Sequence, residues 1–301
     1  MVPLLSKIGT PLVGVFILAE VLVGRARGEK VYKKSDTLAN FGIAFVNNLI
    51  ATFVWTGLAV AAYAWAYAHA PYKLPTTPWW SWALAVLVAD FLWYCEHRAG
   101  HRIRMLWAVH SVHHSSEEYN YSIALRLPWL GGLTRIPFLM PMALVGFAPT
   151  QVLFGFSLVL MYQIWVHTKL VKRVGILESV LMTPSHHRAH HAVNAAYIDK
   201  NYGGILIVWD RLFGTFVAES EAPRFGVTKP IGTHNPLRIN AHELVAMAND
   251  LRGASTWRER FGYVFKGPEW HPHASVPHAE PMTVEMDAAT MSVSALQRLG
   301  V

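Results

Sequence analysis

Residues 90–114 read DFLWYCEHRAGHRIRMLWAVHSVHH, the end of an apolar run followed by five histidines, and the reading of this stretch decides the fold. His97 and His101 stand four residues apart, and His110, His113 and His114 follow as His-x2-His-His. On a helix, residues three and four apart share a face, whereas neighbours one or two apart diverge. Each box can therefore aim two or three ring nitrogens at one point. A third box, His187, His190 and His191, repeats the His-x2-His-His spacing downstream. A structural zinc takes four protein ligands and a catalytic one about three plus water, so eight imidazoles exceed the needs of one tetrahedral ion. Two metals are the economical reading. Ligation by nitrogen with few or no carboxylates suits iron, copper, nickel or zinc, and softness alone does not choose among them. The membrane setting of the boxes makes that choice for iron.

That setting follows from composition. The 301 residues are 53% hydrophobic and only 15% charged, against roughly 25% charged for an ordinary soluble domain. Cys95 is the single cysteine, which excludes an intramolecular disulfide framework and fits chemistry facing a reducing compartment. A net charge of +7 raises nucleic acid as a partner. The basic residues are dispersed between apolar spans instead of gathered on one soluble face, so they read as topology charges and no nucleic-acid partner is expected. Hydropathy gives five candidate spans, at 4–23, 41–68, 79–95, 129–147 and 150–167, each of the length needed to cross the hydrocarbon core.

The first span is followed by Arg25, Arg27, Lys30, Lys33 and Lys34, which the positive-inside rule holds in the cytoplasm. The basic residues follow the apolar run and no cleavage site is evident, which argues against a cleaved signal peptide. The second span then leads outward to the 71–78 connector, and the third returns to deliver His97 and His101 to the cytoplasmic interface. Spans four and five form a hairpin that brings the chain back at His167, so every histidine box reaches one side. Arg135 inside span four is the awkward residue, placed near the interface or marking a hairpin that does not fully cross. Segment 95–128 is expected to be cytoplasmic and helical around Arg104–Ser115. Segment 174–275, with a helical stretch near Ala241–Arg252, reads as a cytoplasmic cap over the metal site. The resulting expectation is an all-α, multi-pass membrane bundle of four to five spans with a cytoplasmic helical cap. Its divisions are 1–34 for the first span and basic segment, 35–275 for the embedded domain and 276–301 for a loosely ordered tail.

The three boxes, with Asp90-Phe91-Leu92-Trp93-Tyr94 before the first and Asn120-Tyr121-Ser122-x-Ala124-Leu125-Arg126 after the second, resemble the membrane fatty acid hydroxylase and sterol desaturase superfamily. The strings Thr183-Pro184-Ser185-His186-His187-Arg188, Tyr197-Ile198-Asp199-Lys200-Asn201-Tyr202-Gly203-Gly204 and Trp209-Asp210-Arg211-Leu212-Phe213-Gly214-Thr215 are most similar to its alkylglycerol-monooxygenase-like and bacterial sterol-desaturase-like branch. The resemblance covers residues 35–275. It implies a non-haem di-iron centre, with zinc as a possible substitute, that uses O2 to hydroxylate or desaturate a lipid C–H bond. Which lipid is left open, because sequences so similar act on glyceryl ethers, sterols, sphingoid bases, ornithine lipids and fatty acyl chains. Hydroxylation is favoured over desaturation on branch resemblance. The chain has no His-Pro-Gly-Gly haem segment and no flavin or iron–sulfur motif, so an electron-donor protein or a reduced pterin is expected as a partner.

The expected metal ligands are His97, His101, His110, His113, His114, His187, His190 and His191, joined by His167, which closes a span on the same side as the boxes. His186 is adjacent to His187 and points about 100° away around a helix, which makes it a neighbour of the ligands instead of a ligand. Asp90, Glu96, Asn120, Asp199 and Asp210 are candidates to orient imidazoles through their second nitrogen, as metal sites usually require. Asp90 sits in an apolar span, where a lone carboxylate is costly and a ligand histidine or an arginine is its expected partner. His69, His234, His242, His271, His273 and His278 lie outside the pattern and read as structural or exposed. Gly203-Gly204 lacks the context of a dinucleotide site and reads as a turn. Two other classes stand beside the oxygenase: a zinc-dependent membrane hydrolase, and a metal transporter or inactive metal-binding membrane protein. A hydrolase would add a carboxylate base within a ligand motif, and a transporter would place its ligands mid-span. Neither pattern is evident.

Overall fold

Long apolar segments leave their amides no water to bond, and the helix satisfies them internally. The computed structural model, which describes residues 2–272 with the side chains of 2–8 and 10 excepted, accordingly builds its regular structure from helices. Among the described residues the only β pairing is two isolated bridges, Leu181 with Leu206 and Ala192 with Phe225. The expected tail at 276–301, with His273 and His278, lies outside the described residues.

Helix α1 runs over Val2–Ala26. Helices α2 (Lys34–Ile50) and α3 (Thr56–Ala68) are continuous through one π-helical turn at Ala51–Trp55. Then come α4 (Trp79–Arg102), α5 (Arg104–His114), α6 (Gly131–Leu144) and α7 (Pro149–Trp165). Shorter helices follow at α8 (Pro184–His190) and α9 (Val208–Leu212), with α10 (Pro236–Gly253) and α11 (Trp257–Phe265) the last among the described residues. Proline at the first position of α7, α8 and α10 fixes φ where no intrahelical N–H bond is lost. The stretch expected near 241–252 is the interior of α10, and its start lies earlier because Asn235 accepts from the amides of Leu237 and Arg238.

Each expected span contains a helix, but among the described residues only Lys34–Ala68 is long and apolar enough to cross a membrane by length and composition. Its outward side chains include Phe45, Phe53 and Leu58, all exposed. Span four is shorter than expected. The 14 residues of α6 reach about 21 Å, short of a hydrocarbon core of about 30 Å. Its carboxyl end gives way to a turn at Gly146, whose φ is +105°.

The core that positions the site lies between α3, α4, α6 and α7, around Tyr63, Ala85, Ala89, Met142, Val152 and Val159. Helices α4 and α7 approach closely because Gly155 faces the backbone of Ala85, where an added Cβ would lie 2.6 Å from the Ala85 carbonyl oxygen. Small residues at such a crossing let two apolar helices pack backbone to backbone. Helices α10 and α11 lie over α5. Arg104 bonds Glu243 at 2.9 Å and Asp250 at 2.6 Å, and its backbone N–H donates to Lys266 O at 2.9 Å.

Candidate metal centre

The ends of α4, α5, α7 and α8 meet at one place, and nine histidines meet with them in two groups. His97, His101, His110, His114 and His190 form one, and His113, His167, His187 and His191 form the other. Within each group one ring nitrogen per residue lies within 4.8 Å of all the others. Eight of the nine are buried and His110 is half-buried.

Helix geometry explains the division. His110 and His114 are separated by about 40° around α5, whereas His113 and His114 diverge by about 100°. The i, i+4 pair therefore serves one group and His113 the other. The third box divides by the same rule: His187 and His191 stay together, and His190 joins the residues from α4 and α5. The boxes are thus not three separate clusters but two faces, each shared between helices. His167 follows α7 and lies between His113 and His187, with its Nε2 at 3.2 and 3.0 Å from theirs.

The partners of the second ring nitrogens differ from the side chains expected. His97 Nδ1 bonds Tyr202 O at 2.8 Å, His190 Nδ1 bonds Lys200 O at 2.9 Å, His113 Nδ1 bonds Arg126 O at 3.3 Å, and His167 Nδ1 bonds Gln163 O at 2.6 Å. A carbonyl only accepts, so each Nδ1 carries the proton and Nε2 is left as a lone-pair donor. Asp90 instead accepts from the backbone amides of Ile205 and Leu206 and from Trp209 Nε1, because its face of α4 meets a loop whose amides need acceptors. Asn120 caps the turn at Ser122 and donates to Val31 O. Asp199 pairs with Arg102 at the surface. Glu96 accepts from Thr134 Oγ1 at 2.8 Å. The His186 ring packs edge-on against Phe216, outside both groups. Asp210 acts at one remove: it accepts from the amides of Tyr202 and Gly203 at 2.8 and 2.7 Å and so fixes the turn whose carbonyl holds His97.

Sequence reasoning missed Asp36, Asn40 and Arg126. Arg126 is 1% exposed, pairs with Asp36 at 3.0 Å and donates to Asn40 Oδ1 at 2.8 Å, which locks the carbonyl that receives His113. The signal was a lone aspartate and asparagine four residues apart in an apolar segment, answered by an arginine 90 positions on.

The donor set fits metal ions. The buried Nε2 atoms of His97, His101 and His190 have no protein partner, a costly state unless a ligand takes up the lone pair. Nitrogens about 2.1 Å from one ion lie about 3.0 Å apart at a right angle and about 3.4 Å apart at a tetrahedral one. The contacts His110–His114, His167–His187, His187–His191 and His113–His167 are 3.0, 3.0, 3.1 and 3.2 Å between Nε2 atoms, separations that ligands of one ion would occupy. Burial pushes His97, His101, His110, His113, His114, His187 and His191 well below the ordinary imidazole pKa, and neighbouring imidazoles add to the effect. His190 is pushed down to about 4 by burial, opposed by its bond to Lys200 O. Neutral imidazole is the ligating form.

Beside the centre lies an apolar chamber of about 430 Å³, whose wall includes His97, His110, His113, His167 and His187. Both histidine groups contribute to the wall of this helical pocket. Residues 82–215 match the family Fatty acid hydroxylase, and the chain carries a domain of that family. Over 275 residues, 90% of its length, it is 36% identical to alkylglycerol monooxygenase of Homo sapiens, of which it covers 61%. It is 35% identical over 272 residues to that of Danio rerio, again covering 61%. Ornithine lipid hydroxylase OlsE of Rhizobium tropici is 33% identical over 135 residues, 44% of this chain and 40% of that protein. The chain thus spans about three fifths of the length of the alkylglycerol monooxygenases it matches. No solved structure matches.

Proposed function

We propose that this chain is an oxygen-dependent membrane lipid monooxygenase in which the nine histidines hold two iron ions. The observation that carries this reading is that both histidine groups open onto one apolar chamber. When bound, the metal pair supplies O2 activation and attack on an unactivated C–H bond, which acid–base side chains cannot perform. The overall change is C–H plus O2, two electrons and two protons giving C–OH and water. The chamber takes the alkyl chain, excludes water and presents one carbon to the histidine face. The carbonyls of Tyr202, Lys200, Arg126 and Gln163 keep the imidazoles turned toward the centre. Relatives named for alkylglycerol and ornithine lipid make membrane lipids the substrate class to test.

The chain is read as a multi-pass membrane protein, with α6 and α7 as a hairpin that dips into the bilayer and the centre on the cytoplasmic side under α10 and α11. The electrons come from outside the chain. On the opposite side of α4 a cleft is bordered by Tyr94, Arg98, Arg102, Lys200 and Tyr202, the last two supplying the carbonyls that hold His190 and His97. This basic, aromatic cleft is where an electron donor would approach.

Metal content by mass spectrometry on detergent-purified protein made with iron supplied tests the centre. About two irons per chain, lost in a histidine-box variant, followed by ¹⁸O incorporation from ¹⁸O2 into an alkylglycerol or another membrane lipid, would support the reading. Failed iron reconstitution together with no oxygen-dependent product would favour the zinc hydrolase.

A further inference from the structure

The chamber is apolar except at one place. Glu96 on α4 and Thr134 and Arg135 on α6 line it together, with Tyr63 on α3 completing that part of the wall. Glu96 is half-buried and lines the chamber. Thr134 occupies one of its oxygens. Arg135 does not pair with it: among the described residues Arg135 makes no ion pair and donates no hydrogen bond. Its guanidinium folds back over Gly131, where an added Cβ would lie 3.1 Å away, and rests 5.9 Å from the centre of the Phe156 ring. The Tyr63 hydroxyl, in the electrostatic reach of both charges, also has no partner among the described residues. Arg135 is near enough to favour the ionised Glu96 electrostatically, but without a direct ion pair each keeps polar atoms open to the apolar chamber, where a further partner would offset their desolvation.

We infer that Glu96 and Arg135 are specificity-determining residues that clamp a neutral, hydroxyl-bearing head group of the lipid substrate. A hydroxyl both donates and accepts, so it can give its proton to the Glu96 carboxylate while receiving a guanidinium N–H from Arg135. A free carboxylate would meet Arg135 but be repelled by Glu96, and an amine the reverse. A saturated chain with no hydroxyl would leave both charges unpaired. The clamp and His97 line the same chamber, so the clamp sets how far the oxidised carbon lies from the head group. This inference rests on the lipid monooxygenase reading for its substrate but is tested by binding.

The experiment measures equilibrium binding of two labelled ether lipids of equal chain length to the full chain in nanodiscs. One is a monoalkylglycerol and the other its analogue with a propyl group in place of the glycerol. The wild type is expected to bind the diol about tenfold or more tightly, the scale of hydrogen bonds to charged groups. Glu96→Gln, nearly isosteric, and Arg135→Met should each shrink that preference below about threefold while leaving the propyl ether's Kd and the iron content unchanged. Arg135→Lys, which keeps the charge, should retain part of it. Equal binding of the two lipids by the wild type overturns the clamp and requires no variant to fold. So does loss of stability in the variants with the preference intact, which would make the pair structural, or displacement of the diol by a long-chain fatty acid at equal concentration. If both lipids are oxidised equally well, the clamp falls and the monooxygenase stands. If the diol is preferred but no oxygen-dependent product forms, the clamp stands and the monooxygenase falls.

Discussion

The histidine centre and the chamber beside it share a wall but are built by opposite rules. In the centre, the second nitrogens of His97, His113, His167 and His190 are committed to backbone carbonyls, and those of Tyr202 and Arg126 are themselves anchored by Asp210 and Asp36. In the chamber, Glu96 and Arg135 face each other without pairing. The first arrangement is fixed before any ligand arrives, which suits chemistry that must be the same at every turnover. The second is completed only by the ligand, which suits selection. The contrast is broken most directly by removing one nitrogen from each histidine group. His113→Ala and His190→Ala are each expected to lower turnover by more than about a hundredfold, the upper range for outer-sphere changes. Iron should fall with membrane insertion unchanged, and His69→Ala, at an exposed position, should match the wild type. Iron and activity retained in either box variant would remove the basis for two metal groups.

The next largest effect concerns the support of the four-histidine group. Asp36→Ala leaves the buried Arg126 guanidinium without its carboxylate, and breaking a buried pair from one side costs about 3–5 kcal/mol. Thermal unfolding of the purified protein reads this as a fall in Tm. Because Arg126 O receives His113, metal should be lost first from the group containing His113. Asp210→Ala is the counterpart for the five-histidine group, since it frees the turn at Tyr202 and Gly203 that holds His97. Iron affinity is expected to drop about 10- to 100-fold there, by competition with a chelator. Equal loss from both groups in both variants would show that the two supports are not separate.

Acid should weaken the centre. The buried histidines have folded-state pKa values below the roughly 6.5 of an unfolded imidazole, His190 at about 4. Between those values the unfolded chain binds protons that the folded one does not, so stability and metal retention are full above about pH 6.5 and decline as the pH falls toward 4. Iron release followed across that window checks the sign. Release that grows as the pH rises above 6.5 would contradict it.

Much of this was legible in the sequence, for identifiable reasons. The nine histidines that meet in the structure are those the spacing and His167 singled out, because the helix repeat converts i, i+3 and i+4 directly into shared faces. The division of each His-x2-His-His box between two groups follows from the same 100° step and could have been read with it. The supporting partners were not legible. A backbone carbonyl carries no side-chain signature, so nothing in the letters marks Tyr202 or Lys200 as the residue that turns an imidazole. Asp90 drew attention because a carboxylate in an apolar span needs a partner, and it has three, two in the loop before α9 and one, Trp209, on α9 itself. The Asp36–Arg126 pair escaped because its halves are 90 residues apart. The length of α6 was hidden because hydropathy does not stop where the helix does, and the apolar character of 129–147 runs on through the turn at Gly146.

The smallest expected effect tests one of these misreadings. Asp199 is one of the residues the sequence offers to orient an imidazole, yet its carboxylate reaches outward to Arg102, whose side chain is 59% exposed. Its φ of +61° lies in the left-handed region, which asparagine tolerates better than most residues. Asp199→Asn therefore removes the ion pair while keeping the turn that presents Lys200 O to His190. An exposed pair contributes about 0–1 kcal/mol, so Tm should barely move and iron content and turnover should stay at wild-type levels. Loss of iron in this variant alone would mean that the carboxylate, and not the backbone next to it, supports the five-histidine group. The contrast between a centre held by main chain and a chamber read by side chains would then fail at its best-defined point.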